Sequence, residues 1–227
     1  MPVELVVFDL AGTTVHDDND VPRILQSALQ RFDVAISLKE AARVMGIPKP
    51  VAIQQLAIEK GISKPDKKWI EKIHQVFIAD MIHFYQTDSS VREKVGVSET
   101  FLKLKSRGVK IAVDTGFSRE ITIPLLERMG WKKNELLDFS VTSDEVPHGR
   151  PFPDMIFKSM ALTGVREVSH VAKVGDTASD MEEGIAAGCQ WVIGITSGAY
   201  TYDELTKVKH THLVNSIGEI LPILEIQ

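Results

Sequence analysis

The sequence predicts an α/β fold: a doubly wound parallel sheet with a helical segment inserted after its first strand. Three observations predict it. Short, largely apolar runs recur along the chain and read as strands buried on both faces. Helical patterns alternate with them, as right-handed βαβ units require. One long stretch, from about His16 to Ser90, breaks the alternation with helical patterns and no convincing strand.

The first strand is VELVVFDL, in which Leu5 to Leu10 surround a single acid, Asp9, and it leads into the turn Ala11-Gly12-Thr13-Thr14. Four later runs resemble it: VKIAV (109–113), FSVT (139–142), HVAKV (170–174) and WVIGI (191–195), with Trp191 expected in the core. Between them, SETFLKLKSRG offers Ser98 as N-cap and Gly108 as stop. SREITIPLLERMG runs from Ser118 to Gly130, PFPDMIFKSMALTG carries prolines in its first turn, and ASDMEEGIAAG ends at Gly188. Inside the insert, VPRILQSALQRF is amphipathic and SLKEAARVMG opens with a capping box, Ser37 and Glu40. PVAIQQLAIEKG starts on Pro50 and stops at Gly61. DKKWIEKIHQVFIADMIHFYQ spaces Trp69, Ile73, Val76, Phe77 and Phe84 for burial along one helix, and these are read as core packing. The expected division is a core of residues 1–15 and 91–227 with a helical cap domain at 16–90.

Composition narrows the function classes. The 227 residues are 44% hydrophobic, enough for one large domain or two small ones. A net charge of -5 gives no electrostatic basis for nucleic-acid binding. The single cysteine, Cys189, cannot form an internal disulfide. No stretch approaches the roughly 18 apolar residues of a membrane span, and no signal-peptide pattern opens the chain. The expectation is a soluble, cytoplasmic protein with neither membrane nor nucleic-acid partners.

In an open parallel sheet, ligands bind beyond the carboxyl ends of the strands. There the chain places Asp9, then Asp114-Thr115-Gly116, then Gly149-Arg150-Pro151, then Gly175-Asp176-Thr177 with Asp180 four residues after Asp176. Singly, each reads as a turn residue, a helix cap or a surface charge. Gathered at one edge, Asp9, Asp176 and Asp180 would repel unless a cation joined them, and their hard oxygens suit Mg²⁺. Arg150 would add a fixed positive charge, Thr115 a hydroxyl, and the turn after Asp9 backbone N–H groups. Such a set neutralises and positions a phosphoryl group, and a carboxylate facing phosphorus can act as nucleophile.

In this order, DLAGTT, VDTG, GRPFP and GDTASD resemble the four motifs of the haloacid dehalogenase superfamily of phosphotransferases. The resemblance spans nearly the whole chain. It implies a Rossmann-like core with an inserted cap and an aspartyl-phosphate formed on Asp9. Mg²⁺ would be held by Asp9, the Ala11 carbonyl, Asp176 and Asp180. Thr115, Gly116, Gly12, Thr13 and Arg150 would bind the phosphoryl group. Most phosphatases of the superfamily have an acid where this chain has Ala11. DxAGTT instead resembles the phosphonatase branch, the phosphonoacetaldehyde hydrolases, in which a cap lysine forms a Schiff base and a P–C bond is broken. The cap signature of that branch is matched by Met45, Gly46 and Lys49, so Met45 and Gly46 are substrate-side residues and Lys49 the implied imine former.

Two departures stand beside the match. The branch has a histidine three residues after the lysine, where this chain has Ala52, and Pro48 and Pro50 flank Lys49. They leave open a hydrolase of small phosphate monoesters without a Schiff base, and a phosphate-ligand-binding protein that has lost turnover. A carbon–halogen hydrolase fits poorly, because Asp176 and Asp180 would have no role. His16 and His148 read equally as cleft or surface groups. The resemblance also implies pairing through cap helices, so monomer and homodimer both remain open. The partner expected is a small phosphorylated or phosphonate substrate.

Overall fold

The computed structural model describes residues 2–226. Among them, six strands form one parallel sheet in the order β3-β2-β1-β4-β5-β6. The strands are β1 (Leu5–Phe8), β2 (Lys110–Thr115), β3 (Phe139–Thr142), β4 (Val171–Gly175), β5 (Trp191–Ile195) and β6 (His212–Val214). Each expected strand is present, β2 and β4 running slightly further than the apolar runs alone suggested. The sixth was not expected. It is three residues long, lies at the edge, and pairs Ile193 with His212.

β1 is central, with Leu5 to Phe8 opposite Lys110 to Val113 on one side and Val171 to Val174 on the other. Alternate side chains explain the unbroken apolar run. Val6 and Phe8 enter one hydrophobic cluster with Phe101, Leu104 and Ile193, while Leu5 and Val7 enter a second with Ile156, Met160 and Met181. The core helices are α5 (Val97–Ser106), α6 (Arg119–Met129), α7 (Asp154–Thr163) and α8 (Ala178–Ala187), with two short turns of helix, α9 (Tyr202–Leu205) and α10 (Ile220–Ile223). α5 starts from Gly96, in the left-handed region, rather than from Ser98; the Ser98 hydroxyl instead donates to Glu93 at 2.6 Å. Trp191 is buried in the larger cluster, as expected.

Between β1 and α5 lie four helices: α1 (Asp20–Gln30), α2 (Leu38–Arg43), α3 (Lys49–Glu59) and α4 (Lys67–Thr87). The capping box of Ser37 and Glu40 is formed. Ile73, Phe77, Met81 and Tyr85 line the buried face of α4, where Tyr85 and Phe77 meet Phe117 of the core. The loop between α2 and α3 sits directly on the loops that follow β2, β3 and β4. A Cβ on Gly116 would stand 2.9 Å from the carbonyl oxygens of Gly46 and Ile47, one on Gly149 would meet Pro48 Cγ at 2.5 Å, and one on Gly46 would overlap Thr177 and Ser179. Glycine at these points lets the insert close on the sheet's carboxyl edge. No helix among the described residues is long and apolar enough to cross a membrane.

Candidate active site

The strand order reverses on either side of β1, which makes the carboxyl end of β1 the topological switch point where such sheets bind ligands. A cleft of about 370 Å³, counting the solvent at its mouth, opens there. Asp9, Ala11, Thr115 and Gly116 line it from the core, and Met45, Gly46 and Lys49 from the insert. Seven residues singled out from sequence therefore share one cavity. Asp17, Val21, Phe117, Thr177 and Ala199 complete its wall.

Arg150 lies behind Asp9 with no exposed side-chain surface. Its Nη1 donates to Asp9 Oδ1 at 2.7 Å and lies 2.9 Å from Asp180 Oδ1, its Nε donates to Glu183 at 3.0 Å, and its Nη2 reaches both the carbonyl and the carboxylate of Asp114. A planar guanidinium can serve four carboxylates in this way, whereas an ammonium could not. Lys173, from the middle of β4, completes the cluster by contacting Asp114, Asp180 and Glu183. Sequence reading missed Lys173 and Glu183. The available signal was a lysine inside an otherwise apolar, doubly buried strand.

The acids nearest the cleft are held out of their ordinary range. Burial pushes Asp9 up to about 6, aided by the charge of Asp180 and opposed by Arg150 and Lys173. Burial and the charges of Asp9 and Asp180 push Asp176 up to about 8. Carboxylate oxygens of Asp9, Asp176 and Asp180 lie within 4.8 Å of one another. Oxygens about 2.1 Å from a single Mg²⁺ stand roughly 3–4 Å apart, so this trio fits a small hard cation. A second trio, Asp114, Asp180 and Glu183, already has Arg150 and Lys173 within it and does not call for a metal.

Asp176 is cradled by backbone: a Cβ at either Gly12 or Gly198 would overlap its carboxylate. Thr13 donates its hydroxyl to Asp176 Oδ1 at 2.7 Å, and the Ala199 amide donates to Oδ2 at 2.6 Å. Thr13 thus faces the acid, away from the cleft wall. The Gly12 and Thr13 amides are also engaged, by Val15 and Leu10 carbonyls. Lys94 fastens the two loops around Asp176, donating to the Gly12 carbonyl at 2.7 Å and the Ser197 carbonyl at 3.0 Å. Asp180 caps α8 together with Thr177. His16 lies in a separate surface hollow beside Lys94, and His148 is exposed against Asp154, so neither enters the cleft.

Lys49 is the first residue of α3 and only 3% exposed. Its ammonium lies 5.4 Å from the Phe117 ring centre and 6.0 Å from that of Phe77. Among the described residues its one hydrogen bond, to the Ile47 carbonyl, is long at 3.4 Å. Burial lowers its pKa from 10.5 to about 8, with Arg150 adding to the shift and Asp9 and Asp17 opposing it.

Residues 6–193 match the family model for haloacid dehalogenase-like hydrolases. The chain belongs to this family. Over 209 residues it is 34% identical to a phosphonoacetaldehyde hydrolase from Bacillus cereus, covering 88% of this chain and 78% of that protein. Two solved structures share the fold. One, a phosphonoacetaldehyde hydrolase-like protein from Oleispira antarctica, superposes with a TM-score of 0.85 at 20% identity, over 99% of this chain and 92% of that one. The other, a predicted phosphoglycolate phosphatase from Haemophilus somnus, gives 0.78 at 22% identity, over 97% of each chain. At these identities the structures speak for the fold alone. Membership explains why the motifs at four strand ends converge, and the chain is a hydrolase of this family.

Proposed function

We propose that this hydrolase cleaves the P–C bond of a small phosphonate aldehyde of the phosphonoacetaldehyde type, through an imine on Lys49 and a phosphoryl group carried by Asp9. The observation that carries the reading is Lys49: buried, flanked by two phenyl rings, drawn toward neutrality, and lining the same cleft as Asp9. A surface lysine would have none of these properties. The Bacillus cereus relative bears the name of that activity.

In this reading residues 16–90 act as a mobile cap whose closure excludes water. The phosphonyl group lies against Asp9, Thr115 and Gly116, and the aldehyde points toward Lys49 and Met45. The neutral amine adds to the aldehyde, and loss of water with uptake of one proton gives an iminium. Asp9, held by Arg150, attacks phosphorus, and the electron pair of the breaking P–C bond passes into the iminium to give an enamine. An acid at the position of Ala11 is then unnecessary, because the leaving carbon is stabilised by nitrogen. Protonation of the enamine carbon restores the iminium, water hydrolyses the aspartyl-phosphate, and hydrolysis of the iminium frees the aldehyde and Lys49. Mg²⁺ held by Asp9, the Ala11 carbonyl, Asp176 and Asp180 would supply charge neutralisation to the phosphonyl oxygens.

Ala52, where the related hydrolases have a histidine, favours a second reading: a phosphatase acting on a small phosphate ester without an imine. Borohydride separates the two, since only an imine is reduced to a permanent adduct. Incubation with phosphonoacetaldehyde and borohydride is expected to add one substrate-derived mass at Lys49, alongside phosphate release from phosphonoacetaldehyde exceeding that from a panel of monoesters. Phosphate release from esters with no trapped adduct would favour the phosphatase. Saturable binding without release from any compound would leave a ligand-binding protein.

A further inference from the structure

Three titratable side chains line the cleft: Asp9, Lys49 and Asp17. The first two have roles in the reading above, on which this inference rests; the third has none. Asp17 precedes α1, and one carboxylate oxygen, Oδ1, accepts the amides of Asp20 at 2.7 Å and Val21 at 3.2 Å. That bond pair is a structural duty, closing the start of the helix. The second oxygen accepts no hydrogen bond from the described residues, although the residue forms part of the cleft wall. It stands near enough to Lys49 for its charge to bear on the amine. Burial also draws its carboxyl above the ordinary range, against the two backbone amides that favour the charged form.

Imine formation needs a proton carrier beside the amine. The attacking nitrogen must lose protons, and the carbonyl oxygen must gain two to leave as water. Asp9 is engaged by Arg150 and faces phosphorus, Ala11 and Ala52 carry no proton, and Thr115 and Thr177 are hydroxyls of high pKa. We infer that Asp17 is the acid–base group of the Lys49 half-reaction, using its free carboxylate oxygen to move protons between the amine and the departing carbonyl oxygen.

The steps balance. Asp17 as carboxylate takes a proton from the Lys49 ammonium, and the freed amine attacks the aldehyde carbon. Asp17 gives that proton to the alkoxide, takes one from the nitrogen, and gives it to the hydroxyl. The C–O bond then breaks, water leaves, and the nitrogen lone pair closes the C=N bond. Ammonium plus aldehyde has become iminium plus water, with Asp17 again a carboxylate. The reactive state thus holds one proton between Asp17 and Lys49. The pair's other charged or titratable neighbours are Asp9 and Arg150 of the core, Asp20 and Arg23 of α1, and His74 and Tyr85 of α4.

Asp17→Asn tests the inference cleanly, because the isosteric amide oxygen can accept the same two backbone amides but the side chain cannot carry the proton. The test uses Mg²⁺-supplemented protein with Asp9→Asn in both arms, so that phosphonoacetaldehyde forms an imine but is not consumed. Borohydride is added at timed intervals and the adduct at Lys49 is read by peptide mass. Adding Asp17→Asn is expected to slow adduct formation by about 10²-fold or more. It should also change a bell-shaped pH profile into one that only rises with pH, while the melting temperature stays within about 2 °C. Equal trapping rates and profiles with and without Asp17→Asn would overturn the role of Asp17 and leave the Schiff base standing. No adduct at Lys49 in either arm would overturn the Schiff base and this inference with it. If the Asn variant melts lower, Asp17→Ser, a second capping residue without an acid, takes its place under the same criteria.

Discussion

Replacing Lys49 by methionine should make this protein more stable while abolishing the adduct. The drop in the lysine's pKa from 10.5 to about 8 means that folding works against the charged form. At roughly 1.4 kcal/mol per tenfold, the penalty at neutral pH is on the order of 3 kcal/mol, fully present below the folded value. Methionine has similar volume, and its thioether suits the Phe77 and Phe117 rings. Against this stand the lost cation–π contacts, about 1 kcal/mol, and a hydrogen bond too long to contribute much. The net gain is about 2 kcal/mol, which for a chain of this size raises the melting temperature by about 4–8 °C. The pH dependence gives a second signature. Between the two pKa values the unfolded wild-type chain binds more protons than the folded one, so wild-type stability rises with pH there. The advantage of Lys49→Met should therefore be constant below pH 8 and shrink toward pH 10. Thermal unfolding followed by circular dichroism at pH 7 and pH 10 decides it. A variant that melts at or below the wild type at pH 7 would refute the claim that Lys49 is held against its charged state.

Three further outcomes follow from the same site. Arg150→Met leaves Asp114, Asp180 and Glu183 paired only with Lys173 among the described residues and Asp9 with no ion-pair partner, and loss of one partner from a buried ion pair costs about 3–5 kcal/mol. The native carboxylates would then hold protons that the unfolded chain does not, so the deficit in urea unfolding should be larger at pH 8 than at pH 5; an equal deficit at both contradicts the arrangement. Mg²⁺ at about 100 times its dissociation constant should stabilise the wild type by about 2.7 kcal/mol, read as a rise in melting temperature, and Asp176→Asn should remove most of that rise. Gly116→Ala places a methyl 2.9 Å from the carbonyls of Gly46 and Ile47, so it should leave core stability nearly unchanged while lowering kcat/KM at least about tenfold through poor closure of the loop carrying Lys49. Unchanged kinetics in that variant would mean that this contact is not part of the working state.

Much of the sheet was legible because its strands are covered on both faces, leaving runs such as VVF and WVIGI with no polar alternation to confuse. β6 was not, since three residues with one half-buried and one exposed carry too little pattern. The start of α5 was misread because Ser98 is a good cap by type; Gly96 reaches the left-handed backbone more easily, and Glu93 claims the serine. The catalytic edge could be read because βα topology carries every strand end to the same side, so short-range sequence determines which residues meet. The ionic cluster behind it could not. Lys173 and Glu183 come from a strand interior and a helix face, and only the packing of α8 against β4 brings them under Arg150.

The two buried lysines show why residue type alone could not settle their roles. Lys49 and Lys173 are both removed from water, and burial acts against the charge of each. Around Lys173 stand Asp114, Asp180 and Glu183, and their attraction more than offsets the desolvation, holding its pKa above the ordinary value. It is a permanent cation and keeps Arg150 company among the acids. Around Lys49 stand two phenyl rings and the Arg150 charge, with Asp9 and Asp17 too weakly placed to compensate. The first environment makes a strut, and the second suits the nucleophile proposed above. The difference arises from segments far apart in the chain: Phe77 from α4, Phe117 from the loop after β2, and the acids of α8. Phe77 reaches the lysine within the insert, whereas Phe117 reaches it only because the insert packs on the core, so in the proposed reaction that packing both lowers the amine's pKa and covers the cleft.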